Sequence, residues 1–468
     1  MSAVLPANPE SNESSQASPL VGSTKDDSAA RDGSVVTESQ GKSIEDGSPL
    51  DAKVVFLTHY IPLYQVRVLQ EITKRIRDFQ ILLSTPIEPN RNFRLDWSGL
   101  NVEVQKTVTL RRRWRHAKAG FDDQLFVHVP YDTLKQLKRI RPDVVISHEL
   151  GARSLAAARY CRRSGARLVL ATFMSEHTEQ GRGRLRNWAR RRLIRSADAI
   201  TYNGPSCREV LLSLGAKEEQ LFHLPYAADD RTTSSETQRP PESEVRRRLL
   251  CIGQLSQRKG VLPLVRQASD FCAGNNEALE ITFVGDGPCR SELETLASGD
   301  STDEHGPIDS RLKIHLLGNR PAAELPELMR DHGAIIAPTL ADEWLLVTNE
   351  GMHAGMPIIG SIYAQSVTTL IENGRNGWQY DPLSHEALNT EPSSAESGCS
   401  DPPQSTLDLS GALRGYLAAD NSAIAKMREN VKHDIRDYTP ARSANGAIDA
   451  IRAALNQRDA GSTGNAER

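Results

Sequence analysis

Short apolar runs alternate with longer amphipathic stretches along most of this chain. KVVFLT (53–58), FQILLST (79–85), DVVISHE (143–149), RLVLATF (167–173) and AITYNG (199–204) have the length and β-branched content of buried strands. Between them, YQVRVLQEITKRIR (64–77), ARSLAAARYCRRSG (152–165) and PSCREVLLSLG (205–215) place apolar residues at helical spacing. That succession predicts a parallel sheet with helices on both faces. A polar stretch with two prolines follows, DDRTTSSETQRPPESE (229–244), and then the series restarts. RRLLCIG (247–253), LEITFVG (279–285), LKIHLLG (312–318), GAIIAPT (333–339) and MPIIGS (356–361) each precede a turn and a helical pattern.

The pattern predicts an α/β protein of two doubly wound, Rossmann-like domains facing each other across a cleft, with ligands at the carboxyl ends of the strands. The expected boundaries are a disordered segment at 1–50, a first domain at 51–228, a linker at 229–245 and a second domain at 246–388. A polar insertion at 389–405, C-terminal helices at 406–458 and a disordered tail at 459–468 complete the chain. The terminal segments are rich in small polar and charged residues and cannot bury enough surface to offset their ordering entropy. ASGDSTDEHGPIDS (297–310) reads as a surface loop.

Composition narrows the class. The chain has 468 residues, 25% charged, with a net charge of −3, which disfavours a nucleic-acid partner. No apolar run reaches the roughly 20 residues of a bilayer span, and the N-terminus lacks signal-peptide order. The six cysteines are scattered without Cys-x-x-Cys pairs, as in a cytoplasmic protein with reduced thiols, and suggest no metal site.

Chemistry concentrates at predicted strand ends. GQLSQRKG (253–260) is a loop from Gly253 to Gly260 that carries Arg258 and Lys259 before a helix. Such a loop offers backbone N–H groups, a helix N-terminus and fixed positive charge to a phosphate or diphosphate. GDGP (285–288) is a tight turn into a further helix. In ADEWLLVTNEGMHAGMP (341–357), a strand hands over through a loop bearing Asp342 and Glu343 to a helix bearing Glu350. Carboxylates accept hydrogen bonds from vicinal hydroxyls, so these acids suit sugar binding.

GQLSQRKG, VGDGPCRSELETLA, DEWLLVTNEGMHAGMPII and LIENGRNGWQYDP, in that order, resemble the retaining glycosyltransferases of family 4, which have the GT-B fold. The resemblance covers about residues 50–385 and is closest to members reading Trp-Gly-Leu-Val-Val-Asn-Glu at the third of these sites. It implies transfer of a hexose from a nucleotide-sugar with retention of configuration, without a metal or any cofactor beyond that co-substrate. By the same resemblance Asp342 contacts the donor sugar, with Glu343 as a substitute by a one-residue shift, and Glu350 holds the ribose. Lys259 and Arg258 bind the diphosphate, since Gln254 stands where members carry Arg. Gly253, Trp344 and Leu345 line the donor site, and the loop before Arg320 faces the base. A catalytic His follows a first-domain strand in many members; here Met174 stands there, which leaves His148 and His177 as candidates. Leu345 replaces a Gly, and Gly351 replaces an Ala.

The expected acceptor is a glycan, a lipid-linked molecule or a small molecule, and the family suggests polysaccharide or glycolipid assembly. RGRLRNWARRRLIR holds seven arginines between 182 and 195, and RRRWRH lies at 111–116. The first stretch is compatible with a solvated helix, an anionic-acceptor lining or peripheral contact with the inner face of a membrane, the protein being otherwise cytoplasmic. Two other functions stay open: a nucleotide-sugar epimerase or hydrolase, and a binding protein that has lost turnover through Leu345 and Met174.

Overall fold

The computed structural model describes residues 48–88, 95–116, 119–179, 183–228, 238–299, 306–384 and 407–463. The first sheet contains β1 (Leu50–Thr58), β2 (Ile76–Leu83), β3 (Val102–Val104), β6 (Val144–His148), β7 (Arg167–Ala171), β8 (Ala199–Tyr202) and β9 (Leu221–His223). Its seven strands run in the order β3-β2-β1-β6-β7-β8-β9, and every pairing is parallel. Helices cover both faces, so consecutive residues of β1, Val54, Val55, Phe56 and Leu57, are all buried.

The second sheet contains β10 (Arg248–Ile252), β11 (Leu279–Val284), β12 (Leu312–Gly318), β13 (Ala334–Ala337), β14 (Ile358–Ser361) and β15 (Gly377–Tyr380). It is also parallel, in the order β12-β11-β10-β13-β14-β15. Both doubly wound sheets were expected. Two additions were not.

The first is an antiparallel hairpin of β4 (Thr107–Arg115) and β5 (Asp122–Pro130), inserted after β3. The RRRWRH stretch lies in its first strand and turn. Near the tip, His116 stacks on Phe121 at 5.0 Å and Trp114 meets Phe121 edge-on. Phe121 then packs against Leu340 and Ala341, so the hairpin links the first domain to the second. The second addition is the course of the last helix, Pro440–Thr463. Its Ala444, Ala447, Ile448, Ile451 and Ala454 are buried among first-domain residues such as Val54, Leu69 and Ile72. The chain therefore crosses back to finish the core it began with.

Boundaries shift modestly. β1 starts at Leu50, and the last helix runs to Thr463, beyond the expected end at 458. Of the polar stretch at 229–245, residues 238–245 belong to the second domain. Arg239 donates to the Met329 carbonyl, and Glu242 pairs with Arg428 at 2.7 Å. Residues 229–237, the insertion at 389–405 and the segment 1–47 lie outside the described residues.

Candidate active site

The carboxyl ends of the two sheets meet along one seam, held largely by side chains that bind backbone carbonyls. Ser175 Oγ donates to the Asp342 carbonyl at 3.0 Å, and Asn203 Nδ2 to the Glu343 carbonyl at 3.1 Å. Gln365 Nε2 donates to the carbonyls of Met174 and Glu343, while its Oε1 accepts from the Cys207 N–H. The loop with the acids is thus fixed from both domains. The partner carbonyls are backbone groups, so the sequence pattern carried no sign of them.

On the second-domain side, the GQLSQRKG loop leaves β10 and returns against β13. Gly260 has φ +67°, and a Cβ there would lie 2.2 Å from the Pro338 carbonyl oxygen, so glycine is required. The loop is anchored through the Arg258 carbonyl, which accepts from the Leu340 N–H at 2.8 Å. Lys259 Nζ then lies 2.5 Å and Arg258 Nη1 3.3 Å from Asp342 Oδ2. Burial raises the affinity of Asp342 for a proton, but the two cations outweigh it and hold the carboxyl down at about 2. Asp342 consequently serves here as the anchor of both cations.

Glu343, next in the chain, keeps an exposed side chain. Despite that exposure, desolvation by the surrounding cleft walls raises its affinity for a proton, and Glu149, Asp342 and Glu179 push the same way, against Arg258. Glu350 lies in the helix Val347–His353, and burial pushes its carboxyl up to about 7. No ion pair to Glu350 occurs among the described residues, which leaves the carboxylate free to accept from ligand hydroxyls.

Trp344 is 1% exposed. Its Nε1–H donates to Asn349 Oδ1 at 2.7 Å, Asn349 Nδ2 donates to the Tyr226 carbonyl, and the indole stacks between Tyr226 and Tyr438. It supports the loop from behind. Leu345 has φ +77°, the left-handed conformation that favours glycine. Its side chain is buried and shares the wall of a small pocket with Gly253, Gln254, Lys259, Pro338 and Thr339. Arg320 follows β12, is partly exposed and pairs with Glu324 at 3.6 Å.

On the first-domain side, β6 ends at His148, and Glu149 follows it. His148 Nδ1 shares a hydrogen bond of 2.9 Å with Thr58 Oγ1, and His59 Nδ1 lies 3.7 Å from Glu149 Oε1. Buried Arg153 donates to the His148 carbonyl and to Ser84 Oγ. Burial lowers the pKa of His148 to about 3 and lowers that of His59, so both rings are neutral near pH 7. The Glu149 side chain is 56% exposed; desolvation by its surroundings opposes ionisation, yet His59, His148 and Arg153 together bring it to about 2. With both imidazoles neutral, Arg153 is the lasting cation beside it.

The ligand atoms of His59, His148 and Glu149 lie within 4.8 Å of one another, the one such group among the described residues. His177 stands apart from this group, edge-on to Tyr363 at 5.1 Å, with its carbonyl accepting from His116 Nε2. The two histidine candidates therefore occupy different places: His148 in the cleft wall, His177 in the interdomain seam. His59 and Glu149 are additional members that the strand-end position of THYIPLY and DVVISHE could have pointed to. The left-handed backbone of Glu149 (φ +69°), which turns the chain at the strand end, could not have been foreseen.

Two parallel sheets face each other by their carboxyl ends, with paired cations on one wall and carboxyls on both, and so form a ligand cleft. Residues 64–227 match the model of the glycosyl transferase 4-like domain, and residues 246–391 match that of glycosyl transferases group 1. With both domains matched, the chain belongs to the family 4-like glycosyltransferases. Solved structures share the fold. Anabaena HepE in complex with UDP is 14% identical, with a TM-score of 0.61 over 86% of this chain and 100% of its own. Sucrose-phosphate synthase from Thermosynechococcus elongatus is 13% identical, with a TM-score of 0.59 over 86% and 100%. The lipopolysaccharide outer core galactosyltransferase WaaB is 15% identical, with a TM-score of 0.58 over 86% and 99%. No curated protein matches the chain.

Proposed function

We propose that the protein transfers a hexosyl residue from a nucleoside diphosphate sugar to a hydroxylated acceptor, with retention of configuration and without a metal. The observation that carries this is the Lys259–Arg258–Asp342 cluster facing Glu149 and His148 across the cleft. A nucleoside diphosphate leaving group needs charge stabilisation, and two cations preorganised by the partly buried Asp342 carboxylate supply it without reorganisation during the reaction. The complexes of HepE with UDP and with UDP-glucose support a uridine donor.

Each residue then has a defined task. Glu350 accepts from the ribose hydroxyls. Glu343, exposed at the cleft, hydrogen-bonds to a sugar hydroxyl. Ionised Glu149 accepts from a neighbouring hydroxyl of the acceptor and, beside neutral His148, orients the attacking hydroxyl toward the sugar. The departing diphosphate oxygen takes the acceptor proton on the face from which the acceptor attacks, so the protein acts by positioning and charge stabilisation. Trp344 and Asp342 keep this wall in shape.

The helix Arg184–Ile194 supports peripheral membrane attachment. Leu185 and Trp188 are 79% and 61% exposed beside arginines, an arrangement suited to an anionic surface. No helix among the described residues is long and apolar enough to cross a membrane. A calorimetric titration with UDP, GDP and ADP, repeated on Glu350→Ala, tests the donor site. One nucleotide is expected to bind at micromolar Kd and to lose that affinity in the variant. Absence of binding by all three would overturn the proposal.

A further inference from the structure

The strand order of the first sheet, β3-β2-β1-β6-β7-β8-β9, reverses between β1 and β6. The chain winds outward in opposite directions from these two strands, which opens a crevice at their carboxyl ends. Leu57 of β1 and Ser147 of β6 are register partners. The residues that come next, His59 after β1 and His148 and Glu149 at the end of β6, therefore emerge side by side. The rings of His59 and His148 lie 5.2 Å apart between centroids.

Three observations point to a ligand. First, one donor atom from each of these side chains lies within 4.8 Å of the other two, and His59 Nδ1 is 3.7 Å from Glu149 Oε1. Donors bound at about 2.0–2.1 Å to a tetrahedral ion are roughly 3.4 Å apart, so modest side-chain rotations close the set. Second, His59 Nδ1 is buried and has no hydrogen-bond partner among the described residues, a state that calls for one. Third, Glu149 holds φ +69°, a strained conformation for a side-chain-bearing residue that recurs at functional sites. Its N–H donates to the Ala171 carbonyl at 2.9 Å and its own carbonyl accepts from Ser154 Oγ, which keeps the strained turn in place.

The surroundings suit a cation. Thr58 Oγ1 holds the His148 ring through Nδ1 at 2.9 Å, the kind of contact that steadies a metal-binding imidazole by its second nitrogen. Around His59, Glu149 and Glu88 supply two carboxyl groups against the single guanidinium of Arg153. That guanidinium is engaged by the His148 carbonyl and Ser84 Oγ.

We propose that His59, His148 and Glu149 bind a divalent transition-metal ion of the zinc class, with a fourth position open to the cleft. Two imidazoles and one carboxylate suit zinc, whereas magnesium takes oxygen ligands in an octahedron. The site goes beyond the metal-free transfer proposed above and has no step in it. An ion held here uses Glu149, so ion and acceptor exclude each other; that consequence rests on the transferase function, and the site itself does not. The wall of Lys259 and Arg258 belongs to the other domain and keeps its affinity for UDP.

The test uses the full-length protein without a histidine tag, freed of metal by dialysis against a chelator and titrated with Co²⁺, whose visible absorption reports its coordination. A single equivalent should bind with the strong absorption of four- or five-coordinate cobalt. Zn²⁺ should displace it, and roughly a hundredfold excess of Mg²⁺ should not. His59→Gln and Glu149→Gln, each checked for folding by circular dichroism, should weaken Co²⁺ binding by about tenfold or more. UDP affinity, read by calorimetry, should stay as in the wild type in His59→Gln. Absence of the absorption band, or a folded His59→Gln variant that binds Co²⁺ like the wild type, overturns the proposal. UDP binding without a cobalt site refutes the metal site alone. A cobalt site that both variants lose, in a protein that binds no nucleotide, supports the metal site and refutes the transferase function.

Discussion

Leu345 occupies a backbone conformation made for glycine, and replacing it separates strain from packing. At φ +77° an L side chain costs roughly 1–2 kcal/mol. Against this, the Leu345 side chain is buried beside Leu250, Ile335 and Val347, where truncation to Ala costs about 2–5 kcal/mol. Leu345→Ala loses the packing and keeps the strain. Leu345→Gly loses the packing and relieves the strain, less about 0.5–1 kcal/mol for the greater freedom of Gly in the unfolded chain. Both variants should be less stable than the wild type, with Gly above Ala by roughly 0.5–1 kcal/mol, the reverse of their usual order. Urea unfolding followed by circular dichroism resolves that difference. The same truncation clears the wall of the pocket by Gly253 and Lys259, so UDP affinity should rise in both variants, at least as much in Gly as in Ala. An Ala variant as stable as the Gly variant would refute the strain account. Unchanged UDP affinity in both would show that Leu345 does not obstruct the phosphate site.

Lys259→Ala removes one of the two cations from Asp342 and should raise the Kd of UDP by at least tenfold in calorimetry, a charge-assisted hydrogen bond contributing about 1.5–3 kcal/mol. Asp342 is held at about 2 when folded, so its stabilisation is present above its ordinary value near 4 and is lost as pH falls toward 2. Asp342→Asn should flatten that acid limb of the stability curve. For Glu343 the sign reverses. Its raised carboxyl binds its proton more tightly in the folded state, so stability falls as pH rises above 4.5, and Glu343→Gln should remove the decline in a pH series of thermal unfolding. Trp188 fluorescence should shift to the blue with anionic but not neutral vesicles, and Leu185→Ser should weaken the binding.

The βαβ succession was legible because parallel strands covered on both faces are continuously apolar, as in KVVFLT and RLLCI. The hairpin was hidden because arginines occupy its first strand, Thr107–Arg115, and charge concealed the alternation of Val108 and Leu110. The last helix was visible as a helix, but an amphipathic face names no partner, so its return to the first domain was not. At the site, the loop carrying Lys259 and the acids stood out through residue type and order. The capture of Asp342 by both cations depends on how Gly260 lets the loop approach Pro338, a tertiary fact. Trp344 was placed in the donor site by the resemblance alone, which carries no measure of burial; at 1% exposed it stands behind the loop.

The returning helix has a consequence for biosynthesis. A ribosome that has completed residue 228 has made every strand of the first sheet, but not Ala444, Ile448 and Ile451, which close one face of its core. At about 5–20 residues per second, more than ten seconds of synthesis separate the two. During that interval an apolar face stays uncovered while the second domain emerges and folds. The domain made first is thus the one finished last, and a nascent chain halted after residue 439 would present a holdase chaperone with a nearly complete but open first half.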